Sequence, residues 1–150
     1  MKLSEIIKEE DIILDFKANT KSDVLKILVG NVKNHFDADS LLSLLMEREK
    51  LGSTGVGEGV ALPHVRMDAI ESPIVVLGRS QKPLDFDAID KKPCRLFFLV
   101  LGPTKQEAQE EYLQTMAKIS RLMRDVEVRQ KLLRAKTPAE IVARIKELEN

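Results

Sequence analysis

The chain has 150 residues, 24 basic and 24 acidic side chains, and a formal net charge of zero at pH 7. A domain of this length buries roughly 68–70% of the surface of its unfolded chain, so one hydrophobic core suffices. With one tyrosine, no tryptophan and no long basic run, the chain has little with which to neutralise a phosphate backbone, which excludes nucleic acid as an expected partner.

Cysteine usage and the N-terminus indicate a reducing, aqueous compartment. Cys94 is the only cysteine, so it has no disulfide partner, and it is expected to be a small core residue. The N-terminal residues lack the apolar segment of a signal peptide, and no apolar run reaches about 18 residues. We therefore expect a soluble, cytoplasmic protein without membrane insertion. No cluster of residues indicates a metal site, and no cofactor is expected.

The N-terminal third predicts a short strand followed by two helices. Residues 1–10 resemble an amphipathic turn, and Asp11–Asp15 is typical of a brief strand. Thr20 or Ser22 is placed to cap the first helix. Its apolar positions follow the 3.6-residue period: Val24, Leu25, Ile27, Leu28 and Val32. His35, at the end of this helix, is interpreted as stabilising the helix dipole.

Asp39 or Ser40 is predicted to cap the second helix. Its interior positions are predicted to be Leu41, Leu42, Leu44, Leu45 and Met46. It ends at Lys50, where a glycine-rich stretch begins. Arg48 is therefore expected within one turn of that stretch.

Residues 52–59 hold four of the seven glycines of the chain: Gly52, Gly55, Gly57 and Gly59. A short strand, Gly59 to Leu62, then leads to His64. Glycine adopts φ > 0 and allows main-chain amides to approach an anion closely. The stretch lacks the Lys-Ser/Thr of the phosphate-binding loop of nucleotide hydrolases, and its spacing does not fit the dinucleotide fingerprint. The pattern therefore indicates phosphate chemistry at His64 rather than nucleotide binding.

A histidine that carries phosphate needs a nucleophilic ring nitrogen, donors for the phosphoryl oxygens and positive charge. Histidine suits the first role because an unperturbed imidazole, with a pKa of about 6.5, is largely neutral near pH 7. The candidate ligands around His64 are Arg48 as the cation and, as donors, Ser53, Thr54 and the amide of Gly55. Arg66 is a weaker candidate, since its side chain points the same way as His64 in extended chain but can equally face solvent. A structural histidine beside a plain glycine turn is the alternative interpretation.

The second half predicts two strands joined by a turn-rich segment. Pro73 precedes the apolar run Ile74–Leu77, and Leu84–Pro93 is interpreted as the connection. The acids within it, Asp85, Asp87 and Asp90, are typical of turns rather than of a cation site. Arg95–Leu101 is apolar on both faces, which predicts a central strand covered by helices on each side.

Three helices are predicted to follow. They run from Gln106 to about Met123, from Val126 to Ala135 and from Pro138 to Leu148, the last two capped by Asp125 and Thr137. Residues 118–136 carry seven basic and two acidic side chains. Solvated helix faces are the first interpretation of this charge, and a docking face for an acidic protein is the second. The arrangement of strands and helices predicts one α/β domain over residues 1–150.

The string from Arg48 to His64 closely resembles an active-site signature. It reads Arg-Glu-Lys-Leu-Gly-Ser-Thr-Gly-Val-Gly-Glu-Gly-Val-Ala-Leu-Pro-His. The signature is that of the phosphotransferase system (PTS) IIA proteins of the fructose/mannitol/nitrogen-regulatory class. Phe86–Asp90, followed by Pro93, resembles the second motif of that class. The resemblance covers nearly the whole chain and implies a mixed β-sheet flanked by helices, as in mannitol IIA. It also implies that His64 accepts a phosphoryl group from an HPr-like or NPr-like carrier protein and passes it on.

Two positions depart from that class. A second histidine found in many relatives aligns with Tyr112, whose phenol can donate a hydrogen bond to phosphate but cannot become cationic near neutral pH. The residue after the phosphorylated histidine, often glycine in the class, is Val65.

Three functions remain open at this point. The favoured one is a phosphocarrier of nitrogen-regulatory type, whose phosphorylation state governs binding to other proteins, because the 150 residues contain no fused transporter or IIB domain. The second is a sugar-specific IIA protein that passes phosphate to a IIB partner. The third is an adaptor that has kept the anion pocket without turnover, and Tyr112 is its support.

Overall fold

The fold of residues 2–149, described by a computed structural model, is built around a mixed β-sheet. Its strands are β1 Ile12–Phe16, β2 Gly55–Gly57, β3 Val60–Ala61, β4 His64–Met67, β5 Ile74–Leu84 and β6 Cys94–Pro103. The sheet order is β1-β5-β6-β3-β2, and β4 also pairs with β6. β6 runs antiparallel to β5 and parallel to β3 and β4. The predicted mixed sheet with flanking helices is confirmed.

Six α-helices cover this sheet within the described residues. They are α1 Leu3–Ile6, α2 Lys21–Gly30, α3 Ala38–Lys50, α4 Gln109–Met123, α5 Val126–Arg134 and α6 Pro138–Glu149. Asp125 and Thr137 cap α5 and α6 as predicted, since their side chains accept the amides of Glu127 and Glu140. Among residues 2–149, no helix is both long enough and apolar enough to cross a bilayer.

The starts of α2 and α3 are set by side-chain caps. At α2 the Thr20 hydroxyl accepts the amide of Asp23, and the Asp23 carboxylate accepts the amide of Thr20 in return. The prediction that Asp39 or Ser40 caps α3 is wrong. Asp37 is the cap, because its carboxylate accepts the Asp39 amide and the Ser40 hydroxyl.

β6 separates two apolar layers. Leu96, Phe98 and Val100 face the layer formed with α1, α4, α5 and α6. Phe97, Leu99 and Leu101 face the layer formed with α2 and α3. This alternation is that of a strand buried on both faces, so the predicted central strand is confirmed.

Two further burial predictions have opposite outcomes. Cys94 is buried as predicted, and burial raises the pKa of its thiol to about 11. The prediction that Leu44 is interior is wrong, because this side chain is 42% exposed on the outer side of α3. Five apolar positions among six consecutive residues cannot all face inward on a helix with 3.6 residues per turn.

The glycine stretch folds as a β-hairpin rather than as an open loop leading into one strand. β2 and β3 pair antiparallel, and Glu58 and Gly59 form the turn with φ values of 57° and 79°. Gly57, the last residue of β2, has a φ of 103°. The predicted strand Gly59–Leu62 is reduced to β3, because Gly59 belongs to the turn. The Leu62 amide instead donates to the Thr54 carbonyl at 2.8 Å, which holds the first part of the glycine stretch close to His64.

Candidate functional site

His64 is the first residue of β4, a strand that the sequence did not predict. Its side chain is half-buried, and its Nδ1 lies 2.8 Å from the carbonyl oxygen of Leu62. A carbonyl oxygen only accepts hydrogen bonds, so the Nδ1 atom must carry the proton in this contact. The neutral ring then keeps its lone pair on Nε2. The local backbone therefore selects the tautomer in which Nε2 is the nucleophile.

The pairing of β4 with β6 sets the direction of the side chains. His64 is opposite Val100 and Arg66 is opposite Gly102. Val65 and Met67, the alternate residues of β4, pack against the α2–α3 layer. Since side chains alternate along a strand, His64 and Arg66 point to the other face, which α4 covers.

Tyr112, on α4, reaches the same place. It is 5% exposed, and its ring lies over Gly102, where an added Cβ would overlap the ring atoms. Burial raises the pKa of the Tyr112 phenol, while the positive charges of Arg66 and Arg48 lower it. Both guanidinium groups are therefore close enough to act electrostatically on the phenol.

Arg48 lies in the last turn of α3, the helix that packs against β4. Its Nη1 donates to the Gly52 carbonyl at 2.8 Å, which ties the end of α3 to the glycine stretch. Of the five N–H donors of a guanidinium, the described residues engage only this one by hydrogen bonding. The structure thus places Arg48 and the less favoured Arg66 within electrostatic reach of Tyr112, and it places His64 on the same face of β4 as Arg66.

The predicted donors Ser53, Thr54 and Gly55 flank this site, but their groups are already engaged. The Ser53 hydroxyl donates to the carbonyl of Phe86 and accepts the amide of Gly55. Thr54 uses both its amide and its hydroxyl on the carboxylate of Glu49. Direct phosphate binding by these three residues stays a prediction, and it requires them to exchange partners when an anion arrives.

Glu49 is the site residue that sequence reasoning missed. Its side chain is 5% exposed, and it accepts from Thr54 and from the Lys21 ammonium, 2.9 Å away. Lys21 also lies 4.8 Å from the centre of the Phe86 ring. Glu49 therefore anchors the loop beside His64 to α2. The only sequence signal for Glu49 is its place inside the Arg48–His64 string, because its partners Thr54 and Lys21 are brought to it by the fold.

The remaining candidates lie away from this site. Asp87 and Lys92 donate their amides to the carboxylates of Asp85 and Asp90, so the predicted turn-forming role of these acids is confirmed. His35 is exposed and lies beyond the end of α2, whose C-cap is Asn31, so the predicted action on the helix end is wrong. Within the described residues, no three His, Cys, Asp or Glu side chains are placed to hold a metal ion.

The mixed sheet with flanking helices is the fold implied by the resemblance of the Arg48–His64 string to IIA proteins. The sequence profile described as "Phosphoenolpyruvate-dependent sugar phosphotransferase system, EIIA 2" matches residues 5–148, and the chain belongs to this family. Members of the family are phosphotransfer components of the PTS.

Individual relatives agree with this assignment. The chain is 37% identical over 141 residues to the "PTS system fructose-specific EIIA component" of Haloferax volcanii, covering 90% of this chain and 88% of that protein. It is 32% identical over 153 aligned positions to the "Nitrogen regulatory protein" of Pseudomonas aeruginosa, covering 100% and 98%.

Solved structures show the same fold. Nitrogen regulatory protein IIA-Ntr from Neisseria meningitidis superposes with a TM-score of 0.88 at 29% identity, covering 95% of this chain and 98% of that one. Mannitol IIA from Escherichia coli superposes with a TM-score of 0.76 at 19% identity, covering 93% and 98%, which shows the shared fold.

Proposed function

We propose that this chain is a cytoplasmic phosphohistidine carrier, in which Nε2 of His64 receives a phosphoryl group from an HPr-like or NPr-like protein. The observation that carries the proposal is the hydrogen bond from Nδ1 of His64 to the Leu62 carbonyl. The Nε2 lone pair forms the new N–P bond while the N–P bond of the donor phosphohistidine breaks. The donor nitrogen takes back its electron pair. The donor ring carries a proton on its other nitrogen and is released as neutral imidazole, so no proton moves between the two rings.

The charges around His64 support the same step. Phosphoryl transfer is catalysed mainly by positioning and by electrostatic stabilisation of the moving group. Arg48 brings a guanidinium whose N–H donors are mostly uncommitted, and Tyr112 brings a phenol that burial keeps protonated at physiological pH. The ring that carries the phosphoryl group remains protonated on Nδ1, and the Leu62 carbonyl stabilises that positive charge.

Exposed apolar side chains near the site favour a protein donor over a small molecule. Leu51, the C-cap of the helix that carries Arg48, is 87% exposed. Leu113, the neighbour of Tyr112 on α4, is 58% exposed. Apolar residues around a charged centre are typical of the contact surfaces that protein partners cover.

We propose the nitrogen-regulatory role as the use of this chemistry. It is supported by the Pseudomonas relative, which aligns with the whole chain, and by the 0.88 TM-score of the Neisseria IIA-Ntr structure. A sugar-specific IIA protein that hands its phosphoryl group to a IIB partner is the second candidate, supported by the fructose-specific relative at 37% identity.

Labelling with enzyme I, an HPr-like carrier and phosphoenolpyruvate tests the carrier proposal. Wild type and His35→Ala are expected to gain one phosphoryl mass, and His64→Ala to gain none. His35 is the only other histidine, so this variant is the matched control. No labelling of wild type would instead favour the adaptor without turnover. Transfer onward to a IIB cysteine would favour the sugar-specific role over the regulatory one.

A further inference from the structure

Arg66 is the arginine of this site whose side chain is not held by other residues of the structure described. Within residues 2–149, its guanidinium takes part in no hydrogen bond and no ion pair, and the residue is exposed. Arg48, by contrast, is bound to the Gly52 carbonyl, and Arg79 is buried with four hydrogen bonds. A guanidinium that is free in the resting protein keeps its planar fork available for a phosphoryl group.

The strand register places the Arg66 backbone beside the ring of Tyr112. Arg66 pairs in register with Gly102, and the Tyr112 ring occupies the space that a side chain at Gly102 would need. His64 lies two residues earlier on the same face of β4. The imidazole, the free guanidinium and the phenol therefore lie on the same side of the sheet, and Arg48 lies at the end of α3.

We infer that Arg66 and the phenol of Tyr112 form a second anion-binding arm, which holds the phosphoryl group on His64 from the side opposite Arg48. This inference rests on the proposed carrier function. The arm supplies two kinds of donor: a charged fork from Arg66 and a neutral O–H from Tyr112. It makes Arg66 a phosphoryl-contacting residue and gives Gly102 a reason to lack a side chain.

The proximity of Arg66 to Tyr112 can be measured without any phosphotransfer. Tyr112 is the only tyrosine of a chain that has no tryptophan, so an ultraviolet titration of the phenolate reports on this residue alone. Since the Arg66 charge lowers the pKa of the phenol, Arg66→Gln is expected to raise the titration midpoint, and Arg66→Lys to raise it less.

Arg121→Gln is the matched control for this titration. It removes the same charge from an exposed arginine on α4, nine residues from Tyr112 and thus about 13.5 Å along the helix axis. Its midpoint is expected to equal that of wild type. An unchanged midpoint in Arg66→Gln, or equal shifts in Arg66→Gln and Arg121→Gln, would overturn the arm whether or not His64 is phosphorylated.

Phosphoryl uptake from the HPr-like carrier tests what the arm does. Arg66→Gln is expected to slow uptake roughly 10- to 100-fold, as for loss of a hydrogen bond to a charged group, with partial recovery in Arg66→Lys. Tyr112→Phe keeps the ring over Gly102 and is expected to slow uptake about 2- to 10-fold. If the two residues hold one phosphoryl group together, the double variant loses less than the product of the single effects.

Three results would contradict the inference at this second step. Wild-type uptake by Arg66→Gln would remove Arg66 from the phosphoryl group. Effects of Arg66→Gln and Tyr112→Phe that multiply fully would show two independent residues rather than one arm. Absence of labelling in wild type would refute the carrier function, and with it the role of the arm in transfer, whereas the phenol titration would still report where Arg66 lies.

Discussion

Replacing Glu49 by Gln is expected to destabilise the protein, because the buried Glu49 carboxylate holds the loop beside His64 in place. Its side chain is 5% exposed and accepts the amide and hydroxyl of Thr54 and the Lys21 ammonium. Hydrogen bonds to charged groups contribute about 1.5–3 kcal/mol, and breaking a buried ion pair costs about 3–5 kcal/mol. Glu49→Gln keeps the shape and one acceptor oxygen, so we expect a loss of about 2–4 kcal/mol.

Urea denaturation measures this loss as a fall in the midpoint of about 1–2 M, given a typical urea m-value of about 1–3 kcal/mol/M. Glu47→Gln is the matched control on the same helix, since the ion pair of Glu47 with Lys50 has both side chains 70% exposed. It is expected to change stability by less than about 0.5 kcal/mol. Folded Glu49→Gln should also accept a phosphoryl group more slowly. Equal midpoints for the two variants would refute the bracing role of Glu49.

Three more changes test separate parts of the structure. Gly102→Ala forces a methyl group into the Tyr112 ring, so we expect the free energy of unfolding to fall by about 1–3 kcal/mol and phosphoryl uptake to slow. Unchanged uptake would show that the position of the Tyr112 ring does not affect the site. Arg79→Lys loses the paired hydrogen bonds to Asp15 and the hydrogen bonds to the carbonyls at the end of α5. We expect the free energy of unfolding, measured by urea denaturation, to fall by about 2–4 kcal/mol. A loss below about 0.5 kcal/mol would contradict this role of Arg79. The Cys94 thiol has its pKa raised from 9.0 to about 11, so the unfolded chain ionises first as pH rises. The stability that the neutral thiol provides is therefore complete below pH 9.0 and is lost towards about pH 11, with about 1 kcal/mol gone by about pH 10. Cys94→Ala should lose less stability than wild type between about pH 8 and about pH 10, and equal losses would contradict the assignment.

Hydrophobic periodicity predicted most of the fold because long, regular elements leave a clear pattern. The central strand was predicted from an apolar run that serves two layers, and β6 has that arrangement. The caps Asp125 and Thr137 were predicted because their side chains precede regular helices. Short elements escaped this reasoning. β3 has two residues and β4 has four, too few to show an alternation of apolar and polar residues.

The site was predicted by residue type, but its contacts depend on tertiary pairing. The sequence placed His64, Arg48 and Tyr112 together through a resemblance to a known signature. Arg66 was predicted only as a weaker candidate, because the face of β4 on which it lies is known only once the register with β6 is known. It overlooked Glu49, because the turn after α3 brings Thr54 back onto this carboxylate.

We expect Nε2 of His64 to carry the phosphoryl group while Nδ1 keeps its proton on the Leu62 carbonyl. Nitrogen-15 NMR of the phosphorylated protein, with both imidazoles assigned, distinguishes the two ring nitrogens. The predicted result is phosphorus coupling to Nε2 of His64 alone, with a proton retained on Nδ1. Coupling to Nδ1, a phosphoryl group on His35, or one on a side chain other than histidine would contradict it.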